Sequence, residues 1–298
     1  MAQASIQLGS IGIWTRLEDQ PAAKAQETVR ELEELGYGAF WFGEAAGREA
    51  LTNAGLLLAA TKRMVIATGI ANIYARDAVA MASGQKTLAE AYPNRFLLGL
   101  GVSHVPLVEQ LRGHRYEKPV ATMKAYLEAM DRAPYNAFPP ATKPARVLAA
   151  LGPKMLELSG QLADGAHPYN TNPEHTAEAR KILGPQPYLC PEQAVVLETD
   201  PDKARGIGRA FLGFYLTLPN YANNFLRLGF DESDFKDGGS NRIIDAIVAW
   251  GDLNAIRNRI REHHAAGADH VCIQVLSADS KTLPLREWRE LAGALLAK

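Results

Sequence analysis

The sequence is poor in cysteine, with only Cys190 and Cys272 among 298 residues. That excludes a small secreted scaffold held by disulfides. A single bridge could still form, but the expectation is two buried thiols in a reducing cytoplasm. Net charge is scarce too. The 32 basic and 33 acidic side chains leave −1, without the basic surplus that nucleic-acid binding needs for counterion release. A basic membrane-surface protein is excluded on the same ground. Long apolar runs are missing. The longest, Ala54 to Ala60, falls far short of the roughly 20 residues of a membrane span. Residues 1–5 lack the basic start and apolar core of a signal peptide. There is no internal repeat, low-complexity tract or Gly/Ser linker, so one domain over 1–298 is expected. These absences leave the expectation of a soluble cytoplasmic globule, enzyme-sized, with room for a large core.

Short β-rich apolar runs alternate with amphipathic stretches. Eight strand candidates emerge: Ile6 to Trp14, Ala39 to Gly43, Met64 to Ile70, Phe96 to Gly101, Arg146 to Leu151, Gly165 to Tyr169, Gln193 to Glu198 and His270 to Leu276. Near-continuous apolar content suits parallel strands buried on both faces. Between them, Ala25, Val29, Leu32 and Leu35 mark one helix face, which ends at Gly36. Met123, Tyr126, Leu127 and Met130 mark a second, and Leu253, Ile256 and Ile260 a third, with Asp252 at its N-cap. Strand–helix alternation of this length predicts an α/β fold, a (β/α)8 TIM barrel, with insertions after strands 4 and 7. The second insertion carries the aromatic run 211–225. With Trp14 and Tyr74, that run could wall a pocket or form a dimer contact.

Active sites of such barrels lie at the C-terminal ends of the strands. Several chemistries find no support there. No His-x-His pair follows strand one, and His263 and His264 are adjacent, pointing about 100° apart on a helix, so no metal site is expected. No strand carries a lysine for Schiff-base chemistry. Only Glu44 and Glu198 are carboxylate candidates for a glycosidase pair. What remains is a mouth of glycine, small residues and backbone, suited to a flat cofactor that brings its own chemistry. Leu151-Gly152-Pro153-Lys154-Met155 opens a helix after strand five. Its free N–H groups could hold a phosphate, or it could be an ordinary strand–helix turn.

These end-of-strand residues resemble the luciferase-like monooxygenase superfamily of flavin and deazaflavin barrels, from about Ile11 to Leu276. The most specific stretch is Ile66-Ala67-Thr68-Gly69-Ile70-Ala71-Asn72, followed by Arg76-Asp77 and Pro93-Asn94-Arg95-Phe96-Leu97-Leu98-Gly99-Leu100-Gly101. Gly43-Glu44, Gly101-Val102-Ser103-His104, Ala149-Ala150-Leu151-Gly152-Pro153 and Gly165-Ala166-His167-Pro168-Tyr169 are similar to the branch that uses the deazaflavin coenzyme F420.

The resemblance implies an F420-dependent oxidoreductase that transfers a hydride between the deazaflavin and a small organic substrate. Two alternatives are an FMN-dependent monooxygenase working with a separate flavin reductase, and a non-catalytic flavin-binding barrel. It implies a homodimer, and a non-prolyl cis peptide at Gly69–Ile70 whose bulge backs the central ring. It assigns Leu151, Gly152, Lys154 and Met155 to the cofactor phosphate, and places Ala150 and Pro153 among the cofactor-binding residues. Asn72, Gly101, Val102 and Ser103 would lie near the ring, and Asn170 and Thr171 along the tail. Where the sugar-phosphate dehydrogenase branch has an acid followed by histidine, this chain has Glu44 and Ala45; where that branch has a glutamate after strand four, it has His104. A sugar phosphate is therefore not the expected substrate. His104, with an ordinary pKa of about 6.5, becomes the candidate proton donor or acceptor. Glu44 is the other catalytic candidate, with bonding to the cofactor ring or a backbone amide as its alternative.

Overall fold

The computed structural model describes residues 6–279 and 281–296. Strands and helices alternate along the chain as β1 (Ile11–Trp14), α1 (Ala22–Glu34), β2 (Ala39–Phe42), α2 (Ala50–Ala60), β3 (Val65–Thr68), β4 (Ala71–Asn72), α3 (Ala78–Ala91) and β5 (Phe96–Gly101). A π-helical turn at Pro106–Gln110 precedes α4 (Pro119–Arg132), β6 (Arg146–Leu148), α5 (Pro153–Leu162), β7 (Gly165–Ala166), α6 (Pro173–Leu183), β8 (Tyr188–Leu189) and β9 (Glu192–Val196). Then come α7 (Pro201–Leu216), α8 (Pro219–Arg227), a short 3-10 segment, α9 (Asn241–Ile247), β10 (Ala249–Trp250), α10 (Leu253–Ala265), β11 (Val271–Val275) and α11 (Leu285–Leu295).

The sheet is parallel, in the order β10-β9-β11-β1-β2-β3-β5-β6-β7-β8, with β4 beside β5. Strands β8 and β9 are one stretch of chain interrupted at Cys190 and Pro191. The Cys190 N–H donates to Ala166 O (2.9 Å), and Pro191 O accepts from the Cys272 N–H (3.0 Å). This stretch therefore touches both ends of the order, and the sheet curves back on itself.

Period-2 alternation splits the strands into two apolar layers. Ala39, Trp41, Val65, Ala67, Leu97, Val147 and Cys272 face one interior. Phe40, Phe42, Ile66, Leu98, Leu148 and Ile273 face the helices. Helix α1 buries Ala25, Val29 and Leu32 and stops before Gly36, whose φ of +98° suits glycine. The N-cap at Asp252 forms, its Oδ1 accepting the Ala255 N–H at 2.9 Å, a contact typically worth about 1 kcal/mol.

Several strands are shorter than their apolar runs suggest. Gly9, at φ +67°, turns the chain, so pairing starts at Ile11. Ile6 and Leu8 instead join the interior cluster. The run from Met64 breaks at Thr68, because Gly69 and Ile70 leave the ladder: the Gly69 N–H donates to Phe42 O (2.6 Å), and Ile70 O accepts from the Glu44 N–H (3.0 Å). Strands β4, β8 and β10 have only two residues each, too few for a periodic signal. No helix among the described residues is long and apolar enough to cross a membrane.

Candidate active site: an apolar shelf, an aromatic wall and a cationic end

A cavity of about 660 Å³ opens at the C-terminal ends of the strands. Its shelf is Gly69 and Ile70, joined by a cis peptide bond. Glycine is needed on both sides of that shelf. A Cβ on Gly101 would come within 2.5 Å of Ile70 Cδ1, and one on Gly99 within 1.9 Å of Thr68 O. The Gly-x-Gly of β5 thus makes room for the Ile70 side chain; Gly101 itself does not line the cavity. A Cβ on Gly69 would meet His167 Nε2 and Trp14 Nε1, each at 2.7 Å. Trp14 Nε1–H donates to Gly69 O at 3.0 Å and holds the shelf from one side. Val102, Ala149 and Ala150 continue the apolar surface.

Glu44 lies at the rim with its hydrogen-bonding capacity spent. Oε2 accepts the Asn72 N–H (2.8 Å), and Oε1 accepts the Ala50 N–H (3.2 Å) and pairs with Arg76. Arg76 also reaches Glu49 (2.8 Å). A carboxylate engaged by two amides and a guanidinium is a clamp on the β2 and β3 loops. The geometry therefore favours backbone bonding over proton transfer for Glu44.

His104 is placed differently. Its ring faces Tyr221 at 5.6 Å between centroids, and its Nδ1 has no partner. Burial pushes its pKa below the ordinary histidine value, and a hydrogen bond with Asn220 partly opposes the shift. The imidazole is therefore neutral near pH 7, with one nitrogen to accept a proton and one to donate.

Opposite the shelf, Trp14, Tyr169, Tyr215 and Tyr221 form an aromatic wall, with Trp14 and Tyr169 centroids 5.2 Å apart. Tyr169 Oη–H donates to Gln274 Oε1 (2.6 Å) and lies 3.2 Å from Tyr215 Oη. Phe214, Tyr215 and Tyr221 of the aromatic run line the cavity, whereas Phe225 is fully buried in the packing of α7, α8 and α9. Part of that run therefore walls the pocket. Tyr74 does not line it.

The remaining end of the cavity is the turn into α5. Gly152 is the N-cap without a side-chain cap, Pro153 occupies the first helical turn, and Leu151, Lys154 and Met155 line the space. Free N–H groups at a helix start favour an anion. The structure brings Glu44, Gly69, Ile70, Val102, Ser103, His104, Ala150, Leu151, Gly152, Pro153, Lys154 and Met155 around one cavity. Asn72, Gly101, Asn170 and Thr171 are outside that lining. Asn72 supports Glu44 and accepts the Tyr74 N–H at Oδ1 (2.9 Å). Asn170, at φ +54°, is buried and donates its N–H to Glu192 Oε2 (3.0 Å). Glu198 borders a separate shallow depression. Asn220, Asn223 and Arg227 of α8 also line the cavity without being expected to. Their i, i+3, i+7 spacing was the available signal, though nothing local says what the stripe faces.

Beneath the shelf the interior is polar, and His167 borders the cavity there with its Nε2 unpartnered. His167 stacks on Trp41 (centroids 4.4 Å) and hydrogen-bonds Cys190 O through Nδ1 (2.7 Å). Trp41 Nε1–H donates to His270 Nε2 (3.0 Å), which leaves His270 Nδ1–H to donate to Gly9 O (2.9 Å). Burial lowers both histidines to about 4. Glu192 is fully buried with Oε1 unpartnered, and burial raises its pKa to about 8. Cys190 and Cys272 are free and buried. His263 is held by Thr176 (2.8 Å) and Gln193 (2.9 Å). Among the described residues, no cluster of three or more His, Cys, Asp or Glu could hold a metal ion.

A family model described as luciferase-like monooxygenase matches residues 5–270. A Mycobacterium tuberculosis protein whose name carries a provisional coenzyme F420-dependent oxidoreductase assignment is 24% identical, over 93% of this chain and 97% of its own. The 5,10-methylenetetrahydromethanopterin reductase of Methanolobus tindarius is 25% identical, over 85% of this chain and 83% of its own. Among solved structures, an F420-dependent secondary alcohol dehydrogenase in complex with an F420–acetone adduct superposes with a TM-score of 0.78 at 17% identity, covering 97% of this chain and 99% of that one. At that identity the superposition shows a shared fold.

Proposed function

The chain belongs to the luciferase-like monooxygenase family, and we propose that it is a coenzyme F420-dependent oxidoreductase acting on a small organic substrate. The observation that carries this reading is the cavity: a flat apolar shelf at Gly69–Ile70, a cationic end at Gly152–Lys154, and one proton-handling side chain, His104. The name of the Mycobacterium tuberculosis relative supports the same cofactor. The residues fit a tricyclic ring with a phosphate-bearing tail. Gly101 leaves the Ile70 side chain lying over the strand, and Gly152 lets the Arg227 guanidinium lie close over the α5 turn.

When bound, the deazaflavin would donate or accept a hydride. Ile70 would support its ring, with Val102 and Ser103 beside it. Leu151, Gly152, Lys154 and Met155 would hold the phosphate through backbone and charge. The aromatic wall of Trp14, Tyr169, Tyr215 and Tyr221 excludes water and orients the substrate. His104 moves a proton at the substrate oxygen, donating in the reductive direction and accepting in the oxidative one. Glu44 positions the β2 and β3 loops through Arg76 and Asn72. The reading takes the fold as a single-domain (β/α)8 barrel over 1–298 whose enlarged loops after strands 4 and 7 wall the site. It also takes the protein as a cytoplasmic homodimer.

The alternatives are an FMN-dependent monooxygenase served by a separate reductase and a flavin-binding barrel without turnover. Equilibrium titration of the apoprotein with F420 and FMN separates the cofactors. Tighter binding of FMN would remove the F420 reading. Failure of F420-loaded protein to exchange a hydride with any of a panel of alcohols, ketones and enones would favour the non-catalytic barrel.

A further inference from the structure

Charge around the cavity is unevenly compensated. Among the described residues, Glu44 is its only acidic lining residue, and it is met by Arg76 from outside. Of the lining cations, Arg16 pairs with Glu18 at 2.7 Å. Lys154 and Arg227 have no carboxylate partner among the described residues. Both stand at the same end. The Arg227 guanidinium lies over the α5 turn: a Cβ on Gly152 would be 3.4 Å from Arg227 Nη2 and 3.7 Å from Cζ. Arg227 Nη2 donates to Asn224 Oδ1 (2.9 Å), and Asn224 is itself buried. The cation is thus aimed by its own helix rather than left to wander.

Helix α8 explains how an inserted element reaches that point. Tyr221 and Phe225 anchor it in the insert's core. Asn220, Asn223 and Arg227, at i, i+3 and i+7, share one face and line the cavity. The first contacts His104 at the substrate end, and the last stands over Gly152 at the other. A polar stripe ending in a guanidinium without a carboxylate partner, beside Lys154 at one end of the cavity, is complementary to an elongated ligand with an anionic end.

We propose that Arg227 is a specificity residue for the anionic part of the bound cofactor. It would close over the phosphate from the side opposite the α5 backbone, so that the insert and the α5 turn grip one group between them. This rests on the cofactor reading above. It goes further by assigning the grip to a side chain far along the chain from the α5 turn and by linking that grip to the helix that also bears Asn220.

Direct titration by fluorescence tests the proposal without turnover. The ligands are F420, the same deazaflavin lacking the phosphate and everything beyond it, FMN and riboflavin. The proteins are wild type, Arg227→Ala and Arg227→Lys. One charge-assisted hydrogen-bonding partner is worth about ten- to hundredfold in affinity. Arg227→Ala should therefore weaken F420 and FMN by about that factor and leave the two phosphate-free ligands unchanged, with Arg227→Lys in between. The wild-type preference for phosphate-bearing ligands should also shrink with added salt. Equal weakening of all four ligands, or no weakening of any, would overturn the assignment. Arg227 is exposed, so an unchanged melting temperature is expected of both variants. If wild type binds neither F420 nor FMN, the cofactor reading itself falls; if it binds them and Arg227→Ala binds them equally well, only the role of Arg227 does.

Discussion

The two sides of the Gly69–Ile70 shelf are built from the same kinds of residue and do different work. Below it lie Trp41, His167, His270 and Glu192; above it lie Trp14, His104, Tyr221 and Glu44. Below, one nitrogen of His167 and both of His270 are tied to partners, and the ring of His167 is stacked on Trp41. Above, His104 lines the cavity, is hydrogen-bonded to Asn220 and keeps a buried Nδ1 without a partner. The carboxylates show the converse: Glu44 above is fully engaged, while Glu192 below keeps one oxygen unpartnered. Residue type therefore does not mark the site. Access to the cavity combined with an unspent hydrogen bond narrows it to two rings, His104 and His167.

The largest expected break is Trp41→Ala. It removes a fully buried indole and with it the partner of two histidines, so a loss of about 3–5 kcal/mol is expected in denaturant unfolding. Trp14→Ala above the shelf should cost less stability and more cofactor affinity. Equal stability losses for the two variants would erase the distinction between core and site.

His104→Ala should lower turnover by about a hundredfold or more while leaving the melting temperature and cofactor affinity nearly unchanged. In the oxidative direction, the pH–rate profile should show an acid limb with its midpoint below the ordinary histidine value, because burial favours the neutral ring. Full turnover in the alanine variant would return the proton-transfer role to some other group.

The smallest effect concerns the floor, and it depends on pH. Glu192 has a folded-state pKa near 8 against an ordinary 4.5. Its folded state therefore holds the proton more tightly, and stability from this group is complete below 4.5 and declines as pH rises through 8. His167 and His270, lowered to about 4 from 6.5, act in the opposite window. Their contribution is complete above 6.5 and is lost as pH falls towards 4. Glu192→Gln should thus match wild type at pH 5 and melt higher at pH 9. A gain of 1 kcal/mol would appear as about 2 °C in a chain of this size. A variant less stable at both pH values would show that the carboxyl serves the fold by some means other than holding a proton.

Much of the scaffold was legible along the chain. Apolar runs from Ala39, Phe96 and Val271 become strands, Asp252 caps its helix, and Gly152-Pro153 opens α5 after β6. These features follow from local rules, periodicity and turn chemistry that act over a few residues. The positions of β4, β8 and β10 were not legible, because two residues carry no period. The family resemblance added the shelf, the phosphate role expected of the α5 turn, and His104.

What the sequence by itself determined is the alternation of buried strands and amphipathic helices, and the glycines where backbone or side chain must pass closely. Only the tertiary structure decided that Arg76 and Asn72 would consume Glu44, that Gly101 would lie against Ile70, and that Arg227 would stand over Gly152. Each of these joins residues on different elements. Local preferences choose the conformation of a segment, but which segments meet is set by burying the two apolar layers of one sheet. A side chain's chemistry is settled by whatever partner that packing leaves beside it.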